Sequence, residues 1–199
     1  MKILIIVDMQ KDFITGSLAN KDAEAIVPKI CNYIKTFEGP IFCTFDTHKF
    51  DYIFTQEGHK LPVPHCIKGS SGWNLDDSIF DALEERRKEM TSNKKYANDA
   101  SLSFKAQPIF IEKPTFGYLG WKDLQLDLIG RSSLKQDVID EIILVGTCTD
   151  ICVISNALIL KASYPNIKVT CLKDLCAGVT KEKHEAAISV VESCQVEIK

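Results

Sequence analysis

Residues 141–160 read EIILVGTCTDICVISNALIL. Ile142 to Val145 is a short apolar run with no polar alternation, as suits a strand buried on both faces of a parallel sheet. From Ile151 onward the chain is long enough, and rich enough in Ile, Leu and Ala, to form an apolar helix. Only a tight turn around Gly146–Asp150 separates the two, so the stretch is a strand feeding directly into a helix.

The same alternation repeats on both sides of it. KILIIV (2–7), PIFCTF (40–45), QPIFIE (107–112), KVTCL (168–172) and a short VEI (196–198) read as further strands. AEAIVPKICNYIKTF (23–37), SIFDALEERRKEM (78–90) and KEKHEAAISVVESC (181–194) read as helices. In the first of these helices Ile26, Ile30 and Ile34 form one stripe, with Val27 and Cys31 beside it. Pro28 is expected in its first turn, where the missing N–H costs nothing. Repeated strand–helix units imply an α/β fold, a three-layer α/β/α sandwich on a mostly parallel, doubly wound (Rossmann-like) sheet of about six strands. No linker or repeat interrupts residues 1–199, which we read as one domain.

Two segments stand outside this pattern. Residues 49–76 contain KLPVPHCIKGSSGW and are expected to be a long functional loop, because long loops in compact domains are commonly functional. Residues 91–106, TSNKKYANDASLSFKA, are expected to be an exposed polar connection.

Bulk properties exclude several classes of function. The chain has 199 residues, 45% apolar and 26% charged, which is ordinary for a soluble globular protein. A net charge of −3 gives no footprint for nucleic acid or for an anionic membrane surface. No apolar run approaches the roughly 20 residues of a membrane span. The opening MKILIIVDMQKDF meets Asp8 too early for a signal peptide and reads as a strand. The eight cysteines (Cys31, Cys43, Cys66, Cys148, Cys152, Cys171, Cys176, Cys194) are therefore expected to be reduced thiols in a cytoplasmic protein.

The polar residues that end each strand carry the functional signal. KILIIV runs into Asp8, PIFCTF into Asp46-Thr47-His48, QPIFIE into Lys113, and EIILVG into TCTDICV. Ligands of open parallel sheets bind outside the carboxyl ends of the strands. An Asp there is often only a helix cap, and a Lys there is often solvated. Four such groups on one edge point to an active site. Within TCTDICV, Thr149 or Asp150 is a natural N-cap, and Cys152 falls in the first helical turn, where the dipole favours a thiolate. Cys148 lies in the turn before it. The C-x-x-x-C spacing is neither the redox C-x-x-C nor half of a zinc finger. One nucleophile with one bystander is the preferred reading, and two inert thiols is the alternative. Asp46, His48 and His65, with Glu57 and His59 between, offer carboxylate and imidazole donors for Zn²⁺, Fe²⁺ or Mn²⁺, although loop histidines are commonly just exposed. His184, on an amphipathic helix, reads as structural or surface.

VDMQKDF, FDTH followed by PVPHC, the Lys of EKPTFG and VGTCTDICV, in this order, resemble the isochorismatase-like cysteine hydrolases, whose best-known members are nicotinamidases. The resemblance runs from Lys2 to about residue 195. It implies a catalytic triad of Asp8, Lys113 and Cys152, and backbone N–H groups of Cys148 and Cys152 as an oxyanion hole. It also implies a cis peptide before Cys148, and Phe13 in the substrate pocket. It assigns Asp46, His48 and His65 to one divalent metal, with zinc the first expectation and iron or manganese the alternatives. Glu57, ahead of His59, is the expected fourth ligand. The implied partner is a small-molecule amide, nicotinamide first, with nucleic acid and membrane excluded and a homo-oligomer left open. One departure is Pro62-Val63, where many nicotinamidases carry a large aromatic before the last metal histidine. Another small amide, ureide or carbamoyl compound is the alternative substrate. A non-catalytic binding protein on the same fold is the alternative of a different class.

Overall fold

In the computed structural model, which describes residues 1–99, 101–124 and 139–199, β1 (Lys2–Val7) lies beside β4 (Glu141–Thr147) at the centre of the sheet. β2 (Ile41–Asp46) and β3 (Ile109–Lys113) extend it on one side. β5 (Lys168–Ala177) and β6 (Glu197–Ile198) extend it on the other. All pairings are parallel and the order is β3-β2-β1-β4-β5-β6. The strand order therefore reverses between β1 and β4, and a crevice opens there at the carboxyl ends.

β1 shows why its residues do not alternate. Ile3, Ile5 and Val7 pack into one core, with Ala157 and Leu160 of α6 (Ile154–Ser163) and Val191 of α7 (Lys181–Ser193). Leu4 and Ile6 pack into a second core, with Ile14 of α1 (Lys11–Ile14), Ile30 and Ile34 of α2 (Lys21–Thr36) and Leu83 of α4 (Asp77–Ser92). All five are fully buried, each contributing about 1.5–3 kcal/mol relative to exposure. Helices thus cover both faces, giving the α/β/α sandwich.

Asn20 caps α2, its side chain accepting from the N–H groups of Asp22 and Ala23. The helix therefore starts at Lys21, and Pro28 lies in its interior rather than in the first turn as expected. β5 runs to Ala177, beyond the expected end, because an irregularity lets Leu144 face Cys171 and Gly146 face Cys176.

Both atypical segments hold more structure than their composition suggests. Residues 49–76 contain a 3₁₀ turn (Tyr52–Phe54) and the short α3 (Gln56–Lys60), whose start is capped by Thr55 Oγ1 accepting from Gly58 N–H at 3.0 Å. Residues 91–106 are not a plain exposed connection. α4 runs into them as far as Ser92, and α5 (Leu102–Ala106) buries Phe104 and Ala106. Arg86 of α4, itself buried, donates to the carbonyls of Phe37 at 2.6 Å, Gly39 at 2.6 Å and Lys105 at 3.0 Å. A guanidinium in a fixed fork is suited to gathering several carbonyls from separate segments. Residue 100 lies outside the described residues. Among the described residues no helix is long and apolar enough to cross a membrane.

Candidate active site

The carboxyl ends of β1, β3 and β4 deliver three side chains to the crevice. Asp8 follows β1 with a left-handed backbone, φ 48°, which Asp tolerates better than most residues. Its Oδ1 accepts a 2.6 Å hydrogen bond from Thr44 Oγ1, and its Oδ2 lies 2.7 Å from Lys113 Nζ. The ammonium is also 3.7 Å from Cys152 Sγ. Asp8 and Lys113 are fully buried, and Cys152 is 4% exposed.

Burial and charge set the protonation states. Burial opposes the Lys113 charge, but Asp8, Cys152 and Asp46 outweigh it and raise the Lys113 pKa, so the ammonium is held firmly. Burial raises Asp8, with the Lys113 charge pulling the other way. Burial raises the Cys152 thiol too, reinforced by the Asp8 charge and opposed by Lys113. Burial and the Asp8 charge thus work against the thiolate that the helix start was expected to favour. Cys148 is also pushed up by burial, to about 11.

The turn carrying Cys152 is built around Gly146. Its φ is +119°, and a Cβ there would meet Val7 O at 2.2 Å, so only glycine lets β4 lie this close to β1. The Thr147–Cys148 peptide is cis, as the resemblance implies. Thr149–Val153 forms one π-helical turn ahead of α6, with the Cys148 carbonyl accepting from Ile151 and Val153 N–H. Neither Thr149 nor Asp150 caps it. Thr149 Oγ1 instead bonds His184 Nδ1 at 2.8 Å, and Asp150 Oδ1 accepts from Val179 N–H at 2.8 Å. Their side chains are drawn to the first turn of α7 and to the connection before it, so that of the two readings of His184 the structural one has a partner in Thr149.

Asp46, His48, Glu57 and His65 converge, with one donor atom from each lying within 4.8 Å of all the others. Asp46 Oδ2 is 3.1 Å from His48 Nε2 and 3.6 Å from His65 Nε2. Glu57 Oε1 is 3.7 Å and 3.9 Å from the same two nitrogens. Donors about 2.0–2.1 Å from a tetrahedral ion sit roughly 3.3–3.5 Å apart, and the Asp46 and Glu57 distances to the two imidazoles, 3.1–3.9 Å, bracket that spacing. His65 Nδ1 lies 2.8 Å from the Val63 carbonyl, which fixes that nitrogen as the donor and leaves Nε2 free to ligate. Burial opposes ionisation of Asp46, yet hydrogen bonds from His48 and His65 and the Lys113 charge hold it well below the usual carboxylate range. α3 is what brings Glu57 in, while His59 is exposed and outside the group. Phe13 is buried with its ring 5.6 Å from that of His65.

Several residues that frame the site were not singled out in the sequence. Gln10 Oε1 accepts from Asp46 N–H at 2.8 Å and its Nε2 donates to the Asp46 carbonyl at 2.9 Å. Asp12 Oδ2 accepts from Cys66 N–H at 2.8 Å, beside His65. Tyr52 packs its ring 4.5 Å from His48 and 4.9 Å from His65. Gln10 and Asp12 both lie in VDMQKDF, and their spacing around Asp8 was the available signal.

The profile of the Isochorismatase domain matches residues 2–99 and 98–198. The chain belongs to the isochorismatase family. Within that family it is similar to the nicotinamidase/pyrazinamidase of Mycobacterium tuberculosis, 26% identical over 205 residues, covering 100% of this chain and 98% of that protein. Its fold is similar to the crystal structure of a pyrazinamidase/nicotinamidase from Streptococcus mutans, with TM-score 0.74, 26% identity and full coverage of both chains. The Pyrococcus horikoshii pyrazinamidase, solved in complex with zinc, shares the fold with TM-score 0.67 at 22% identity, covering 100% of this chain and 98% of that one.

Proposed function

We propose that this chain, as one hydrolase domain over residues 1–199, is a cysteine-dependent amidohydrolase that converts nicotinamide to nicotinate and ammonia. The observation that carries the reading is Lys113 Nζ set between Asp8 Oδ2 at 2.7 Å and Cys152 Sγ at 3.7 Å. A buried Lys–Asp pair adds little net stability and leaves costly charges in an apolar interior, so a purely structural role for it is disfavoured. The same consideration disfavours a binding scaffold.

Each residue then has a task. Asp8, its basicity raised by burial, takes the Cys152 proton as Sγ attacks the amide carbonyl carbon. Lys113 stays charged throughout and balances the thiolate as it forms. The carbonyl oxygen becomes an oxyanion held by the backbone N–H groups of Cys148 and Cys152. Collapse breaks the C–N bond, Asp8 gives its proton to the departing nitrogen, and ammonia leaves a thioester. Asp8, again a carboxylate, activates water, which cleaves the thioester to the acid and returns the thiol. Asp46, His48, Glu57 and His65 suit a divalent ion, zinc first, which when bound would supply a Lewis-acid anchor for a ring nitrogen of the substrate. Phe13 lines the ring side of the pocket.

Pro62 and Val63 present no ring ahead of His65 to stack on a pyridine. That favours, as the second reading, another small amide, ureide or carbamoyl compound hydrolysed by the same residues. Ammonia release from metal-replete protein, measured over a panel of small amides that includes nicotinamide, tests both. Release from nicotinamide supports the first, release only from another substrate moves the assignment to the second, and no release from any of them sinks the enzyme reading.

A further inference from the structure

Asn156, the third residue of α6, is fully buried four residues after Cys152 and takes no direct part in the chemistry above. Its carboxamide is saturated. Nδ2 donates to the Cys152 carbonyl at 2.7 Å and to the Phe116 carbonyl at 3.2 Å. Oδ1 accepts from Tyr118 N–H at 3.0 Å and from Trp121 Nε1–H at 2.6 Å. A side-chain amide offers two donors and two acceptor sites, and all four are used. Rotating the amide would set oxygen against two carbonyls and nitrogen against two N–H groups, so its orientation is fixed by its surroundings.

These bonds join two segments that the reaction needs at a set distance. The Cys152 carbonyl belongs to the π-helical turn that bears the thiol. Phe116, Tyr118 and Trp121 belong to the connection that leaves β3 directly after Lys113. Gly117 strengthens the joint, since a Cβ there would meet Ile159 Cδ1 at 2.5 Å and the Ser155 side chain at 3.2 Å. The connection therefore packs directly against Ser155 and Ile159 of α6, with no side chain of its own at Gly117 to hold it off.

We infer that Asn156 is a positioning residue that holds the Cys152 turn to the segment following Lys113 and so sets the spacing of the thiol and the ammonium. The inference rests on Cys152 being the nucleophile. A side chain placed on this apolar helix for packing alone would need neither donors nor acceptors. Four satisfied polar contacts reaching two chain segments are the mark of a fixed joint.

The test is the pH profile of Cys152 alkylation by iodoacetamide, followed by mass spectrometry, together with steady-state amide hydrolysis. In Asn156→Ala the thiol drifts from Lys113, and the loss of a nearby cation disfavours the thiolate. The alkylation midpoint should move up by about half a pH unit or more. kcat should fall roughly tenfold to a hundredfold with KM changed by less than about threefold, as a displacement near 1 Å of a reacting group produces. Asn156→Thr keeps a donor able to reach the carbonyl four residues earlier but loses the bonds to the connection. It should give a smaller shift in the same direction, and it decides the matter if the alanine variant does not fold. Ile30→Val, in the core on the other face of the sheet, controls for general loosening. A wild-type alkylation profile and kcat in a folded Asn156 variant would overturn the inference, as would an equal drop in Ile30→Val. If the wild-type protein hydrolyses no amide, the proposed function fails, while the alkylation profile still tests Asn156 independently.

Discussion

Lys113 Nζ lies 2.7 Å from Asp8 Oδ2, and neither side chain is accessible to solvent. An ion pair this deep holds both groups charged only as long as both are present. Removing one partner leaves an uncompensated buried charge, which costs about 3–5 kcal/mol. We expect Lys113→Met to lose stability on that scale and to lose turnover, because Asp8 then takes up a proton and ceases to be a base. Urea unfolding and ammonia release measure the two effects. A variant as stable as wild type would mean that Asp8 is already neutral in the native protein.

Cys152→Ala should separate chemistry from folding. Removing one sulfur from a 4% exposed site leaves a small cavity, for which about 1 kcal/mol is expected. Turnover should vanish. Asp8→Asn should be nearly as damaging, and the double variant scarcely slower than Cys152→Ala alone, because residues acting as one unit do not contribute additively. Losses that multiply in the double variant would show that the two residues act in separate steps.

Much of this arrangement was legible in the chain because parallel strands announce themselves. KILIIV and EIILVG are apolar on both faces, so their positions and the sheet followed from composition alone. Asp8, Lys113 and the cysteine turn stood out because each ends such a run. What stayed hidden depended on partners distant in sequence. Arg86 lies among charged neighbours in EERRKE and gave no sign that it gathers three carbonyls from two separate segments. Thr149 and Asp150 have cap chemistry, but His184 of α7 and Val179 in the connection before it claim their side chains instead. Glu57 was favoured over His59 by resemblance, and the reason became visible only with α3, a single capped turn inside a stretch read as loop.

Metal should bind at the four converging donors and stabilise the fold. A ligand at a hundred times its Kd adds about 2.7 kcal/mol. In wild-type protein, zinc should therefore raise the thermal midpoint and a chelator should reverse the gain. In His48→Ala both effects should be absent and metal analysis should find little ion. A chelator-sensitive midpoint in His48→Ala would place the metal elsewhere.

Away from the crevice, Glu141 makes a prediction about acid. It opens β4, its side chain is 6% exposed, and Oε2 lies 2.9 Å from Lys2 Nζ. Oε1 accepts from Thr170 Oγ1 at 2.7 Å and from Lys199 Nζ at 3.4 Å. Burial works against its charge, but Thr170, Lys2 and Lys199 hold its pKa down at about 2 from an ordinary 4.5. A carboxylate whose pKa is depressed by folding binds fewer protons in the native than in the unfolded chain. Its stabilisation is therefore complete above the unfolded value and is lost as pH falls from about 4.5 towards 2. Full linkage over that range sets a ceiling of about 3 kcal/mol, and the exposure of the lysine partners lowers the expectation to about 1–2 kcal/mol. Glu141→Gln removes the titrating group while keeping its shape and an acceptor for Thr170. In urea unfolding, wild type should exceed the variant by the full margin at pH 6, and the two curves should draw together as pH falls towards about 2. A gap that stays constant across this range would show that Glu141 contributes through packing and not through its charge.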